Sequence, residues 1–251
     1  VDAVDEAKEL ISNGTITDFD AIWITHYHCD HMEAAMNARA AFDCPTVTHN
    51  RVAEVLENPE AYYLPCLSPR RVVIDRALSD GEQWKWHNYS LTGYHFPGQT
   101  YYHAGLHALS NDGESSFFVG DSFTPTGIDD YCTWNRNIMG EGEGYDSCIQ
   151  LLRKLQPDHL FNQHISVAFN FSDAEYNLML ENLAEREELL SVLMPWEDPN
   201  FGLDEYWLHT YPYSQEGSPG ERLEVELRAW NHANRNVEVA AEIELPAGWN
   251  S

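Results

Sequence analysis

Basic side chains are scarce in this chain: 14 Lys and Arg stand against 41 Asp and Glu, a formal net charge of −27. A surface of that sign repels phosphate backbones, so nucleic acid is not an expected partner. The nearest thing to a basic cluster is Pro69-Arg70-Arg71. Long apolar runs are lacking too, and no stretch reaches the ~20 residues of a membrane-spanning helix. The five cysteines, Cys29, Cys44, Cys66, Cys132 and Cys148, contain no CxxC pair. A disulfide scaffold is not expected at this chain length, and the thiols read as mostly buried. Internal repeats and low-complexity tracts are missing; the sequence opens in a helical pattern with neither a signal-peptide pattern nor Met, and is expected to be a fragment or a processed form. Aromatic residues are plentiful, with 8 Trp, 13 Tyr and 10 Phe. The chain therefore reads as globular with a substantial core. Its acidity slightly favours an extracytoplasmic or saline setting.

The most informative stretch is Ile24-Thr25-His26-Tyr27-His28-Cys29-Asp30-His31. The apolar run Ala21-Ile22-Trp23-Ile24 before it reads as a buried strand. Asp30 to Met36 after it reads as a helix start, with an acid near the positive end of the dipole. On an extended segment His26 and His28 project the same way. Asp30 and His31 then turn toward a neighbouring position. Neutral imidazoles and a carboxylate suit zinc, and they also accept manganese or iron. Lone histidines are usually packing or surface residues; this density at a strand-to-helix turn argues against that. Cys29 sits between the ligand-type residues and should point away from them.

The remaining chain supplies further strand ends that carry ligand-type residues. Val4, Ala7, Leu10 and Ile11 have helical spacing, closed by Asn13-Gly14. Pro45 to Thr48 reads as a strand, with Asn50 capping a helix to about Leu56. Residues 58–71 read as a loop. Strands are expected at Val72-Val73-Ile74, Gln83 to Trp86, Ser90 to Phe96 and Tyr101 to Leu109. A turn at Asn111-Asp112-Gly113 leads to Ser116 to Val119 and then Gly120-Asp121. Residues 122–144 read as a loop-rich segment that is expected to wall the site. Tyr145 to Leu155 is an amphipathic helix, and the strand His159 to Asn162 ends at Gln163-His164. Ser172 and Glu175 form a capping box for a helix to about Leu193.

The motif His26-x-His28-x-Asp30-His31 resembles the signature of the metallo-β-lactamase superfamily, and Asp121 and His164 follow in the family's order. The resemblance covers about residues 1–170. It implies an α/β fold, the metallo-β-lactamase-like αβ/βα sandwich, in a domain at 1–195. Only about 25 residues precede the motif, so the first strands are expected to be missing. The resemblance also implies two divalent metal ions, most suitably zinc. His26, His28 and a third histidine would hold one ion; Asp30, His31 and His164 the other; Asp121 would bridge. A metal-bound hydroxide, oriented by Asp30, would attack an ester, lactone, amide, phosphoester or similar bond of a small-molecule substrate.

One position departs from the family. Where members read Pro-Gly-His-Thr, this chain reads Pro97-Gly98-Gln99-Thr100. His103 is the expected replacement ligand, and that demands a non-extended path between Gln99 and His103. Gln99 or water is the alternative. Two other functions compete: a noncatalytic binding protein that kept the fold, for which Gln99 speaks, and a di-iron redox protein. Relatives of the latter kind favour Glu at the position of His28. Past a linker at Pro195 to Asp204 the pattern changes. Leu223 to Trp230 alternates strictly, and Val237 to Leu245 nearly so. Residues 205–251 resemble part of an immunoglobulin-like β-sandwich, a module that would bind carbohydrate or a cell surface.

Overall fold

The computed structural model describes residues 3–129, 141–193, 207–231 and 235–249. Two sheets carry the architecture. The first is a short parallel sheet of β1 (Ile22–Trp23), β2 (Thr46–His49) and β3 (Arg76–Leu78), in that order. Parallel strands need crossovers. Here these are α2 (Cys29–Phe42), between β1 and β2, and α3 (Asn50–Glu57), after β2. An N-terminal helix, α1 (Ala3–Ser12), lies against α2.

The second sheet has five strands in the order β10-β7-β6-β5-β4. A meander of β4 (Gln83–Trp86), β5 (Tyr89–His95), β6 (Ala104–Ser110) and β7 (Ser115–Gly120) is antiparallel throughout. A short hairpin of β8 (Phe123–Thr124) and β9 (Gly127–Ile128) follows, then α4 (Gly144–Leu155). The strand β10 (His159–Asn162) then joins β7 in parallel. The amphipathic α4 buries Tyr145, Cys148, Ile149 and Leu152 against Phe117, Val119 and Leu160 of this sheet. Helix α5 (Asp173–Leu193) adds Tyr176 and Met179 to that core and starts on the expected capping box, Ser172 N–H and Oγ both donating to Glu175.

A second core, built on Ile24, Tyr27, Met32, Val52, Val55 and Leu56, lies under the first sheet. The two sheets approach closely at Gly93, where a Cβ would meet Leu78 Cδ1 at 2.9 Å and Trp23 Cη2 at 3.2 Å. Only a residue without a side chain permits that approach.

Three local expectations fail for physical reasons. Val72-Val73-Ile74 is not a strand. Its Val72 N–H donates to the Leu56 carbonyl at the end of α3, and Thr46 Oγ1 takes up the Val73 carbonyl. The segment closes a helix end instead of a ladder. Helix α3 is capped by His49, whose Nδ1 accepts from the Arg51 N–H, and Asn50 lies within the helix. The strand expected from Tyr101 starts at Ala104, because residues 98–102 bend.

The tail forms one ribbon of β11 (Leu208–Tyr211) and β12 (Glu226–Ala229), antiparallel. It packs on the first core through Tyr211 and Trp230. Val237 to Leu245 carries no strand, and Val237, Val239, Ile243 and Leu245 are exposed. Alternation without a partner strand or a facing layer does not make a sheet. Among the described residues there is no β-sandwich. The linker at Pro195 to Asp204 lies outside them, as does Cys132.

Candidate metal centre

The motif occupies the turn between β1 and α2. Ile24 N–H donates to the Val47 carbonyl, ending the parallel ladder, and Ala104 N–H donates to the Thr25 carbonyl. His26 thereby forms an antiparallel bridge with His103. The chain passes from the first sheet to the second at the histidines. His28 is the residue before α2, and Asp30 and His31 lie in its first turn. Asp121 follows the last residue of β7, and His164 lies two residues past β10. These strands are parallel neighbours, so their ends emerge side by side.

The ligand-type atoms fall into two groups, His26 with His28 and Asp121, and Asp30 with His31 and His164; within each they lie within 4.8 Å of one another. Asp121 joins the groups. Its Oδ2 lies 3.7 Å from His26 Nε2, 3.2 Å from His31 Nε2 and 3.2 Å from His164 Nε2. Asp30 Oδ2 lies 3.5 Å from His31 Nε2 and 3.3 Å from His164 Nε2. The first group is buried and the second opens to solvent, with the Asp30 and His164 side chains 55% and 60% exposed.

Burial pushes the His26 imidazole well below its usual range, and the neighbouring histidines push it further. Burial also takes His103 down to about 3. Both rings are therefore neutral at pH 7, the form that binds metal. For Asp121, burial acts upward. The hydrogen bond and charge of His31, with His164 and His103, outweigh it and hold the carboxyl below the ordinary range. His26 Nε2 and Asp121 Oδ1 are buried with no hydrogen-bond partner. Such orphans are costly unless something else occupies them. A donor set of imidazole nitrogen and carboxylate oxygen fits a divalent cation of the zinc type.

His103 falls in neither group. Its ring stacks on His26 with centroids 4.8 Å apart, and its Nε2 lies 3.4 Å from Ser122 Oγ. The path from Gln99 is bent, as ligation by His103 would require. Gln99 is also buried. Its N–H donates to Ser122 Oγ, and its Oε1 has no hydrogen-bond partner. Ser122 thus holds both competing residues, a role that sequence reading missed. Its place directly after Asp121 was the available signal. Beside the outer group lies a cavity of about 740 Å³, walled by Phe19, Ile22, Trp23 and Phe42 and reaching Asp30, His31 and His164.

Comparison with known proteins agrees with this geometry. Residues 3–127 match the family model described as the metallo-beta-lactamase superfamily. A hydroxyacylglutathione hydrolase from Bdellovibrio bacteriovorus is 28% identical over 167 residues, 66% of this chain and 55% of that protein. One from Aeromonas hydrophila is 31% identical over 108 residues, 43% of this chain and 35% of that protein. The chain thus spans about half, or less, of the length of these curated relatives. Among solved structures, a Cronobacter sakazakii metallo-beta-lactamase with a HARLDQ motif superposes with a TM-score of 0.56 at 15% identity, covering 78% of this chain and 82% of that one. The metallo-beta-lactamase MIM-1 from Novosphingobium pentaromativorans gives 0.54 at 15%, covering 76% and 79%. At that identity these structures speak for the fold alone.

Proposed function

We infer that the protein, whose residues 3–127 carry the metallo-beta-lactamase superfamily match and whose fold is of that kind, is a metal-dependent hydrolase. The observation that carries this reading is the convergence of two three-residue donor groups on one buried carboxylate, Asp121. His26, His28 and Asp121 would hold an inner cation, and Asp30, His31 and His164 an outer one, with Asp121 shared. When bound, such cations activate water and polarise the oxygen that gains charge.

The chain's own residues do the rest. The buried rings of His26 and His103 stay neutral and keep fixed positions. The exposed Asp30 carboxylate lies where it can orient a water and accept its proton. His164 faces the same opening and limits where a substrate can enter. Two donors compete to complete the inner group, Gln99 Oε1 and His103 Nδ1, each buried without a hydrogen-bond partner. If Gln99→Ala lowers metal content by one equivalent while His103→Ala does not, Gln99 is the ligand; the reverse assigns His103.

The substrate class this site supports is a small molecule with an ester, lactone, phosphoester or similar bond. The apolar wall of the adjoining cavity suits an acyl portion. The relatives' name adds hydroxyacylglutathione as the first thioester to try. The test is a panel of acyl esters, thioesters, lactones and phosphodiesters, assayed with zinc-, manganese- and iron-loaded protein. Hydrolysis of one class, lost in Asp30→Asn, supports the reading. No turnover with any metal, or visible iron absorption with oxygen consumption, would replace it.

A further inference from the structure

The N-terminus of α2 is capped in an unusual way. A helix leaves its first four N–H groups without intrahelical partners, and His28, the N-cap, gives them no side-chain cap. The Cys29 N–H instead donates to the carbonyl of Cys66 at 2.8 Å. His28 and Leu67 form an antiparallel bridge, which puts positions 29 and 66 opposite each other. That one bond draws the two backbones together; a disulfide would need their Cα atoms about 4.4–6.8 Å apart. Both thiols are free and exposed, whereas Cys44 and Cys148 are buried. Cys66 has φ +58°, uncommon for a residue with a Cβ.

We propose that Cys29 and Cys66 are a redox pair, joined by a reversible disulfide that fastens the 59–67 loop to the turn bearing the candidate metal ligands. The oxidant is a small-molecule disulfide of the glutathione type. One cysteine thiolate attacks it and expels one small thiolate, leaving a mixed disulfide. The other cysteine attacks the protein sulfur of that adduct and expels the second. Two protein thiols and one small disulfide become one protein disulfide and two small thiols, so sulfur, protons and electrons balance. The bond would close beside His28 and Asp30 and restrain them without occupying either. This inference does not depend on which reaction the site performs.

The experiment uses the full chain carrying Cys132→Ser, equilibrated over a range of oxidised-to-reduced glutathione ratios, then alkylated, digested and mapped by mass spectrometry. The expected product is a peptide pair linking Cys29 to Cys66, an intact mass lower by two hydrogens, and loss of two of the four remaining thiols, with Cys44 and Cys148 still reduced. In Cys66→Ser, Cys29 should instead carry a lasting glutathione adduct. Oxidation should also slow amide exchange across 61–67. If Cys66→Ser does not fold, the map of the Cys132→Ser protein still decides. Separate glutathione adducts on Cys29 and Cys66, a link from either to another cysteine, or two thiols that stay reduced throughout the range would overturn the proposal.

Discussion

Replacing Gly120 by alanine should disturb the candidate centre without removing a ligand. Gly120 ends β7 with φ +56°, and an added Cβ would lie 2.4 Å from His103 Nε2 and 3.0 Å from Thr25 Cβ. The His103 ring has nowhere to retreat, being fully buried and stacked on His26. The left-handed backbone costs alanine about 1–2 kcal/mol, and overpacking a filled site adds about 1–3 kcal/mol. The sum is about 2–5 kcal/mol. Gly113→Ala is the control: its φ is +91°, and nothing lies within 4 Å of the added Cβ. That variant should lose only the backbone part. Urea unfolding of both metal-free variants, followed by tryptophan fluorescence, measures the difference. If Gly120→Ala is no less stable than Gly113→Ala, the close approach of His103 to the β7 end is wrong.

Other perturbations test separate parts of the fold. The Arg39 guanidinium and the Thr46 N–H hold the Asp75 carboxyl well below the usual carboxylate range. Its folded-state value is depressed, so its contribution is complete above the unfolded value of about 3.9 and is lost as pH falls toward the folded one. Asp75→Asn should therefore cost about 1 kcal/mol at pH 7, screened by its partial exposure, and the gap in urea midpoint should narrow below about pH 4. Ser172→Ala removes the α5 capping box and should cost about 1 kcal/mol in the same assay. Trp230→Ala removes the ring that meets Tyr101 edge-on at 4.7 Å; amide exchange across Leu208–Tyr211 should quicken, while that of β6 stays unchanged.

Local patterns carried much of this structure. His26, His28, Asp30 and His31 are close in sequence, so a strand followed by a helix is enough to bring them together. Asp121 and His164 were readable as strand-end residues in the order of the resembling family; that their strands are parallel neighbours, whose ends emerge side by side, came from the structure. Features set by distant partners were not readable. Asn50 is the better N-cap by residue type, yet His49 caps α3, since the position where β2 ends decides the matter. Val72 and Val73 have strand propensity, but the α3 carboxyl end and Thr46 take their backbone groups. Val237 to Leu245 alternates without a partner among the described residues. Cys29 and Cys66 are exposed, against the expectation of mostly buried thiols, and they adjoin a bridge between segments far apart in the chain. His103 against Gln99 was not decidable from an even offset along a strand, because residues 98–102 bend.

The central claim is that two donor groups share Asp121 around two cations. Zinc bound per chain after exhaustive dialysis, counted by mass spectrometry of the metal against protein concentration, tests it most directly. The account predicts two equivalents for the unmodified protein, one for His26→Ala, one for His164→Ala, and fewer than two for Asp121→Asn, each variant retaining its far-ultraviolet dichroism. Two equivalents retained in Asp121→Asn, or none in the unmodified folded protein with zinc, manganese or iron supplied, would contradict it.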